Sequence, residues 1–324
     1  MSTRRHHPTN DANYGTADHN TNQDANDDSS DIFRSHPETV NLIGLGNRGR
    51  VFLREFMQSK DLPPVVFIGV DAHAPDRLEV PRDEDHYNRL SAIPDYLRQQ
   101  LLHTYGWALR GAAALFIAQE ENPPPVELEE AEALTVLAQD RSIAVFRIAL
   151  RGKEGSRVPQ PPAAKALQQL SDATLALPYD WQGSPELQAM RWLFAALLHL
   201  AQEGMMVWQS WDMFDVQEVL CTPGTVLYAM TAEAIGANRA EQATQDAIEA
   251  LTEQGVESEV ASGVLLVLAA GEGMHRLREL RDATDVVRRW VGSGVFILPL
   301  MPELGYDSPE DVLTVTVAVS VRMA

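Results

Sequence analysis

Val40-Asn41-Leu42-Ile43-Gly44-Leu45-Gly46-Asn47-Arg48-Gly49-Arg50-Val51 is a short apolar run that breaks into G-x-G-x-x-G. Many α/β proteins open a nucleotide-binding domain this way. The glycines permit a tight strand-to-helix turn, and amides at the start of the helix then face a phosphate. Gly44, Gly46 and Gly49, with Asn47 and Arg48 between them, are therefore candidate nucleotide contacts. Glycine-rich strand ends also occur without ligands, so the rest of the chain decides what the motif means.

Working outward, Val40–Ile43 reads as a strand and Val51–Met57 as the helix after the turn. Val65–Val70 is a second buried strand ending at Asp71, and a helix is expected near Tyr96–Tyr105. Ala113–Ala118 and Ile143–Leu150 are two further apolar runs, separated by helical periodicity over Glu127–Gln139. Strands apolar throughout and alternating with helices predict a parallel sheet covered on both faces. Leu175–Pro178 adds a short strand. Ser184–Gln202 then opens with Ser184 as N-cap and Pro185 at the first helical position, and its apolar residues run nearly all the way round. Such a helix is buried between two layers.

The character of the chain changes after Gly224. Arg239–Leu251 is an amphipathic helix, Gly263–Leu268 a strand, Leu277–Trp290 a helix and Gly294–Leu300 a strand. Leu313–Val321 alternates strictly, the pattern of a half-buried strand. These elements predict a second, smaller α/β domain. The expected organisation is a polar tail over 1–38, a Rossmann-like parallel-sheet domain over 39–183, a central helix and linker over 184–207, and a C-terminal domain over 208–324.

At 324 residues the chain is long enough for two domains. A net charge of −20 argues against a nucleic-acid groove or an anionic membrane surface, both of which reward clustered Lys and Arg. The single cysteine, Cys221, allows no intrachain disulfide and suits a reducing cytoplasm. The longest apolar segments, Leu193–Leu200 and Gly263–Ala270, are too short to span a bilayer, so membrane insertion is not expected. Residues 1–36 offer almost nothing to bury and read as disordered. Outside that tail, His73, His86, His103, His199 and His275 lack ligand spacing, so no metal site is expected.

From Trp208 onward the order of segments resembles FtsZ, the bacterial tubulin relative. Gln209-Ser210-Trp211-Asp212-Met213-Phe214-Asp215-Val216 is similar to that family's N-x-D-F-A-D-V segment. Gly224–Leu227 through Asn238-Arg239-Ala240 resembles its G-S-A-L-M-G-x-G…R-A helix. Gly263–Leu266 and the final Val-rich strand match its closing domain. In the first half, Ile43–Gly49 falls at the family's first glycine loop and Val70-Asp71-Ala72 at its V-N-T-D-A loop. The resemblance covers about residues 39–322. It implies a two-domain α/β fold, GTP held on the first domain against the central helix, and head-to-tail assembly. It also implies that Asp212 and Asp215 activate water on the neighbouring subunit's nucleotide, while Asp71 and the glycine turn hold that nucleotide. The competing reading of the two aspartates is helix capping.

Departures from the family weaken the GTP expectation. Where its G-G-G-T-G-T-G loop belongs, this chain has Gln119-Glu120-Glu121-Asn122-Pro123-Pro124-Pro125-Val126-Glu127-Leu128-Glu129-Glu130. The stretch has no glycine, and its prolines supply no N–H. A carboxylate about 6 Å from a phosphate charge costs on the order of 2–3 kcal/mol at an effective dielectric near 20. Pro178-Tyr179-Asp180 replaces the family's P-N-D turn, and Ala189 and Met190 stand where polar residues hold guanine. The expected function is cytoskeletal or cell-division-associated self-assembly, or docking on another FtsZ-like protein, with GTP binding and hydrolysis lost or much weakened. An active GTPase with unusual phosphate contacts is the alternative. A Rossmann NAD(P) oxidoreductase is a second one, with Asp71 as the ribose-binding acid; no catalytic His/Lys/Tyr constellation supports it.

Overall fold

A computed structural model describes residues 39–58, 93–152, 171–203, 211–220, 225–271, 277–302 and 311–322. The expected tail, the strand over Val65–Val70, Asp71, Trp208–Ser210 and Cys221 lie outside these residues. Among the described residues the strands are β1 (Thr39–Gly44), β2 (Ala112–Glu120), β3 (Ala144–Leu150), β4 (Ala173–Leu177), β5 (Thr225–Ile235), β6 (Ala261–Ala270), β7 (Phe296–Leu300) and β8 (Val312–Arg322). The helices are α1 (Gly46–Gln58), α2 (Asp95–Leu109), α3 (Pro125–Gln139), α4 (Pro185–Glu203), α5 (Met213–Leu220), α6 (Arg239–Glu253) and α7 (Leu277–Val291).

The strands form one eight-stranded sheet in the order β1-β2-β3-β4-β5-β8-β6-β7. The first five run parallel, β6 and β7 are parallel to each other, and β8 is antiparallel to both of its neighbours. Parallel pairing leaves both faces to be covered, and both are. One face carries α1, α4 and α5, with Phe52, Phe56, Phe194, Leu197 and Val216 packed on Phe116, Phe146 and Leu265. The other carries α2 and α3 over β1–β3, and α6 and α7 over the β5–β8 region. The rings of Phe116 and Phe146 stack at 4.7 Å, and that of Phe194 lies 5.4 Å from Phe116. Burying each such ring stabilises the fold by about 1.5–3 kcal/mol.

The central helix α4 begins as its sequence predicts. The Leu187 amide donates to Ser184 Oγ at 3.2 Å, Pro185 follows as the first helical residue, and Trp192 through Leu198 are all buried.

Three expectations change. The segment 225–235, aligned with a family helix, is strand β5, and helix begins only at Arg239. β5 pairs with β8 along its whole length, and that cross-strand ladder outweighs its mixed local propensity. β8 is buried on both faces instead of one. Val315, Val317 and Val319 face α6 and α7, while Thr314, Thr316, Ala318 and Ser320 are also buried because α4 and α5 cover the opposite face of β8. Their hydroxyls are satisfied locally: Thr316 meets Thr231 at 2.6 Å, and Ser262 meets Ser320 at 3.2 Å. Finally, α1 starts at Gly46, ahead of the predicted Val51, so Asn47, Arg48 and Gly49 belong to its first turn.

Candidate functional site

The carboxyl ends of β1 to β4 lie side by side, the place where open α/β sheets bind ligands. Gly44 pairs with Ala118, Glu120 with Leu150, and Leu150 with Leu177. Beyond these ends the loops are stitched by backbone bonds. Leu45 donates to the Ala118 carbonyl at 2.8 Å, Glu121 to Leu150 at 3.0 Å, and Arg151 to Leu177 at 3.0 Å.

Each glycine of the motif has a steric reason. A Cβ on Gly44 would overlap the Gly49 carbonyl, and one on Gly49 would overlap the Ala118 carbonyl. The first turn of α1 therefore packs backbone to backbone on β1 and β2. Gly46 adopts a left-handed conformation, with φ of +65°. A Cβ there would overlap the carboxylate of Glu127, which reaches across from the first turn of α3 and lies directly on the glycine turn. Burial and then the nearby Glu120 hold the Glu127 carboxyl above the usual glutamate range, Arg50 lowers it, and Glu130 adds to the rise. Alongside, burial and then Glu130 push the Tyr105 phenol up to about 12.

Arg48 is spoken for. Its Nη1 donates to the Arg151 carbonyl at 2.8 Å and its Nη2 to the Tyr179 carbonyl at 3.3 Å. The guanidinium carbon lies 4.9 Å from the ring centroids of both Tyr179 and Trp181. About two turns further along α1, Glu55 accepts from Trp181 Nε1 at 3.0 Å and from Gln182 Nε2 at 2.6 Å. Two side chains of α1 thus clamp the 178–182 loop. Asn47 is exposed. Ala189 and Met190, on α4 itself, are fully buried, and neither has a polar side chain to offer a base.

Beneath the β2–α3 turn lies Arg147, 1% exposed in the middle of β3. It donates to the carbonyls of Glu121 at 3.1 Å and Glu120 at 3.5 Å. With its amide oxygen turned toward the guanidinium, Gln119 accepts from Nε at 2.9 Å and from Nη2 at 3.3 Å, while the buried Nη1 has no hydrogen-bond partner among the described residues. Burial brings the Arg147 pKa down to about 10, against a smaller opposing effect of Glu121. Here a buried arginine holds a turn that has no glycine. Its signal in the sequence was a lone charge inside the apolar run Ile143–Leu150.

Asp212 and Asp215 sit at the start of α5. Asp212 Oδ1 accepts from the amides of Phe214 at 2.8 Å and Asp215 at 3.2 Å, and Asp215 Oδ2 accepts from the Asp212 amide at 2.8 Å. This reciprocal pair is a capping box. Phe214 beside it is 65% exposed, while Trp211 packs edge-on against Phe296 with centroids 6.0 Å apart.

No protein-family model matches the sequence, and no curated protein matches it. Solved structures do. FtsZ from M. jannaschii, an empty dimer, superposes with a TM-score of 0.58 at 12% identity, covering 90% of each chain. GDP-form protofilaments of TubZ from Bacillus thuringiensis serovar israelensis give 0.53 at 9% identity, covering 89% of this chain and 86% of that one. The GTPγS-form protofilament of the same TubZ gives 0.51 at 10%, covering 89% and 88%. The fold is FtsZ/tubulin-like.

Within this FtsZ/tubulin-like fold, the two predicted clusters stay apart. Gly44, Gly46, Asn47, Arg48 and Gly49 gather where α1 meets β1 and β2, whereas Asp212 and Asp215 lie on α5, which packs against β6 and β7 at the other end of the strand order. Asp71 falls outside the described residues. Among the described residues, no group of His, Cys, Asp and Glu could hold a metal ion, and no helix is long and apolar enough to cross a membrane.

Proposed function

We propose that this chain works by association, through head-to-tail self-assembly or docking on another FtsZ-like filament, with nucleotide binding lost or much weakened. Its working units would be the nucleotide-type domain over 39–183, the central helix and linker over 184–207, and the C-terminal domain over 208–324. The observation that carries this reading is the Glu127 carboxylate on Gly46. A phosphate approaching the turn meets a negative charge already there, with Glu120 and Glu130 behind it. The captured Arg48, the proline-rich turn and the apolar Ala189 and Met190 point the same way. The protofilament and dimer neighbours support self-association as the mode of action.

Sedimentation of the purified full chain with and without GTP tests this reading. Pelleting that does not depend on nucleotide is the expected result. Pelleting that requires GTP and reverses as GTP is hydrolysed would overturn it.

A second reading, an active GTPase completed between subunits, has one observation in its favour. Asp212 and Asp215 lie at the opposite end of the sheet from the glycine turn, and each keeps one carboxylate oxygen outside the capping bonds given above. Saturable GTP binding with turnover that is lost in Asp215→Asn would establish it.

A further inference from the structure

Glu127 is the third residue of α3, the position from which a glutamate commonly reaches back to the amide of its own N-cap. Here the N-cap is Pro124, which has no amide hydrogen, and Pro125 follows as the first helical residue. The usual local partner is missing. The carboxylate instead crosses to the first turn of α1, which has no acidic residue of its own. α3 thus places a carboxylate over the start of α1, where burial and then Glu120 disfavour its charge.

The arrangement is also under electrostatic tension. Glu120 at the end of β2 and Glu130 one turn along α3 repel the Glu127 charge, while Arg50 on α1 attracts it. Tyr105 on α2 shares the Arg50 and Glu130 fields. The group is held in place by the geometry of α3 against opposing neighbours.

We propose that Glu127 is an autoinhibitory plug, an internal carboxylate that keeps the glycine turn shut to phosphate-class anions, and that displacing the first turn of α3 opens it. The plug rests on the association reading above and gives it a cause: the cradle persists, and a side chain of the same molecule occupies it. Gly46 is glycine because of its left-handed backbone, with φ of +65°, and the Glu127 carboxylate lies over the space left where a Cβ would stand.

The test is isothermal titration calorimetry of the full chain with inorganic tripolyphosphate, on the wild type, Glu127→Ala, Glu127→Gln and the exposed control Glu129→Gln. Glu127→Ala is expected to bind about tenfold more tightly than the wild type, the effect of removing one close like charge. Glu127→Gln, which keeps the bulk and loses the charge, falls between them, and Glu129→Gln matches the wild type. Hydrogen exchange at the Leu45–Gly49 amides without ligand, faster in Glu127→Ala, is the second readout, and circular dichroism checks that each variant is folded. Equal binding by wild type and Glu127→Ala, an equal gain in Glu129→Gln, or unchanged exchange in a folded Glu127→Ala each overturn the plug. The association reading is judged separately, by wild-type sedimentation without nucleotide. A wild-type chain that neither pellets alone nor co-pellets with an FtsZ filament, while Glu127→Ala gains affinity, would sink that reading and leave the plug standing.

Discussion

Asp212 and Asp215 hold each other's backbone: the Asp215 amide donates to Asp212 Oδ1 at 3.2 Å and the Asp212 amide to Asp215 Oδ2 at 2.8 Å. Two residues that resemble a catalytic pair therefore have a complete structural duty at the start of α5. Asp212→Ala removes the cap and is expected to cost about 1 kcal/mol of stability in urea unfolding. Asp212→Asn keeps an accepting oxygen and restores most of it. Assembly measured by light scattering separates the roles, because a purely capping residue leaves assembly intact in Asp212→Asn.

Arg48 ties α1 to the 178–182 loop through two carbonyls and two aromatic rings. Arg48→Ala is expected to destabilise the fold by about 1–2 kcal/mol, since two accepting carbonyls and the ring contacts lose their cation. Trp181 loses one covering group and its emission shifts to the red. Lysine offers a point charge without the planar fork, so Arg48→Lys recovers only part of the loss.

Arg147 spans Gln119 and the carbonyls of Glu120 and Glu121 from inside the sheet. Arg147→Met leaves those acceptors without a donor and is expected to cost about 2 kcal/mol. The damage is local. Hydrogen exchange at the Glu121 amide, which donates to Leu150, should accelerate more than exchange in β6 or β8.

Glu127 predicts a pH effect of defined sign. Its folded pKa lies above its ordinary value of 4.5, so the native state holds the proton more tightly than the unfolded chain does. The stability it contributes is complete below 4.5 and is lost as pH rises through the raised folded value. Glu127→Gln removes this titration. Its stability-against-pH curve should be flatter than that of the wild type just above 4.5, as followed by thermal unfolding across a pH series. An unchanged slope would show that the carboxylate is not where the structure places it.

Much of the architecture was legible along the chain. The runs over Ala113–Ala118 and Ile143–Leu150 are apolar throughout, and they became the interior strands β2 and β3 of a parallel sheet. Ser184 and Pro185 marked the start of α4 within a residue. β5, expected as helix from the resemblance, is not legible as a strand because Thr225–Ile235 mixes alanine, methionine and glutamate without a clean period of two. Its pairing with β8 comes from a segment far along the chain. The alternation of β8 marks a strand but does not leave it half-exposed, since alternation reports two kinds of face and not which of them is covered.

The candidate site divides in the same way. Local sequence determined the strand-to-helix turn at Gly44–Gly49, because glycine's freedom from a Cβ acts where it stands. It also determined that no glycine cradle follows β2, and that Asp212 and Asp215 are spaced to cap a helix. Only the tertiary structure decided that Glu127 lies on Gly46, that Arg48 reaches Tyr179 and Trp181, and that Arg147 supports the β2–α3 turn. Periodicity and capping are interactions between near neighbours, and the chain carries them in order. What fills a pocket depends on side chains brought together from distant segments by packing the helices onto the sheet, and no local pattern encodes that meeting.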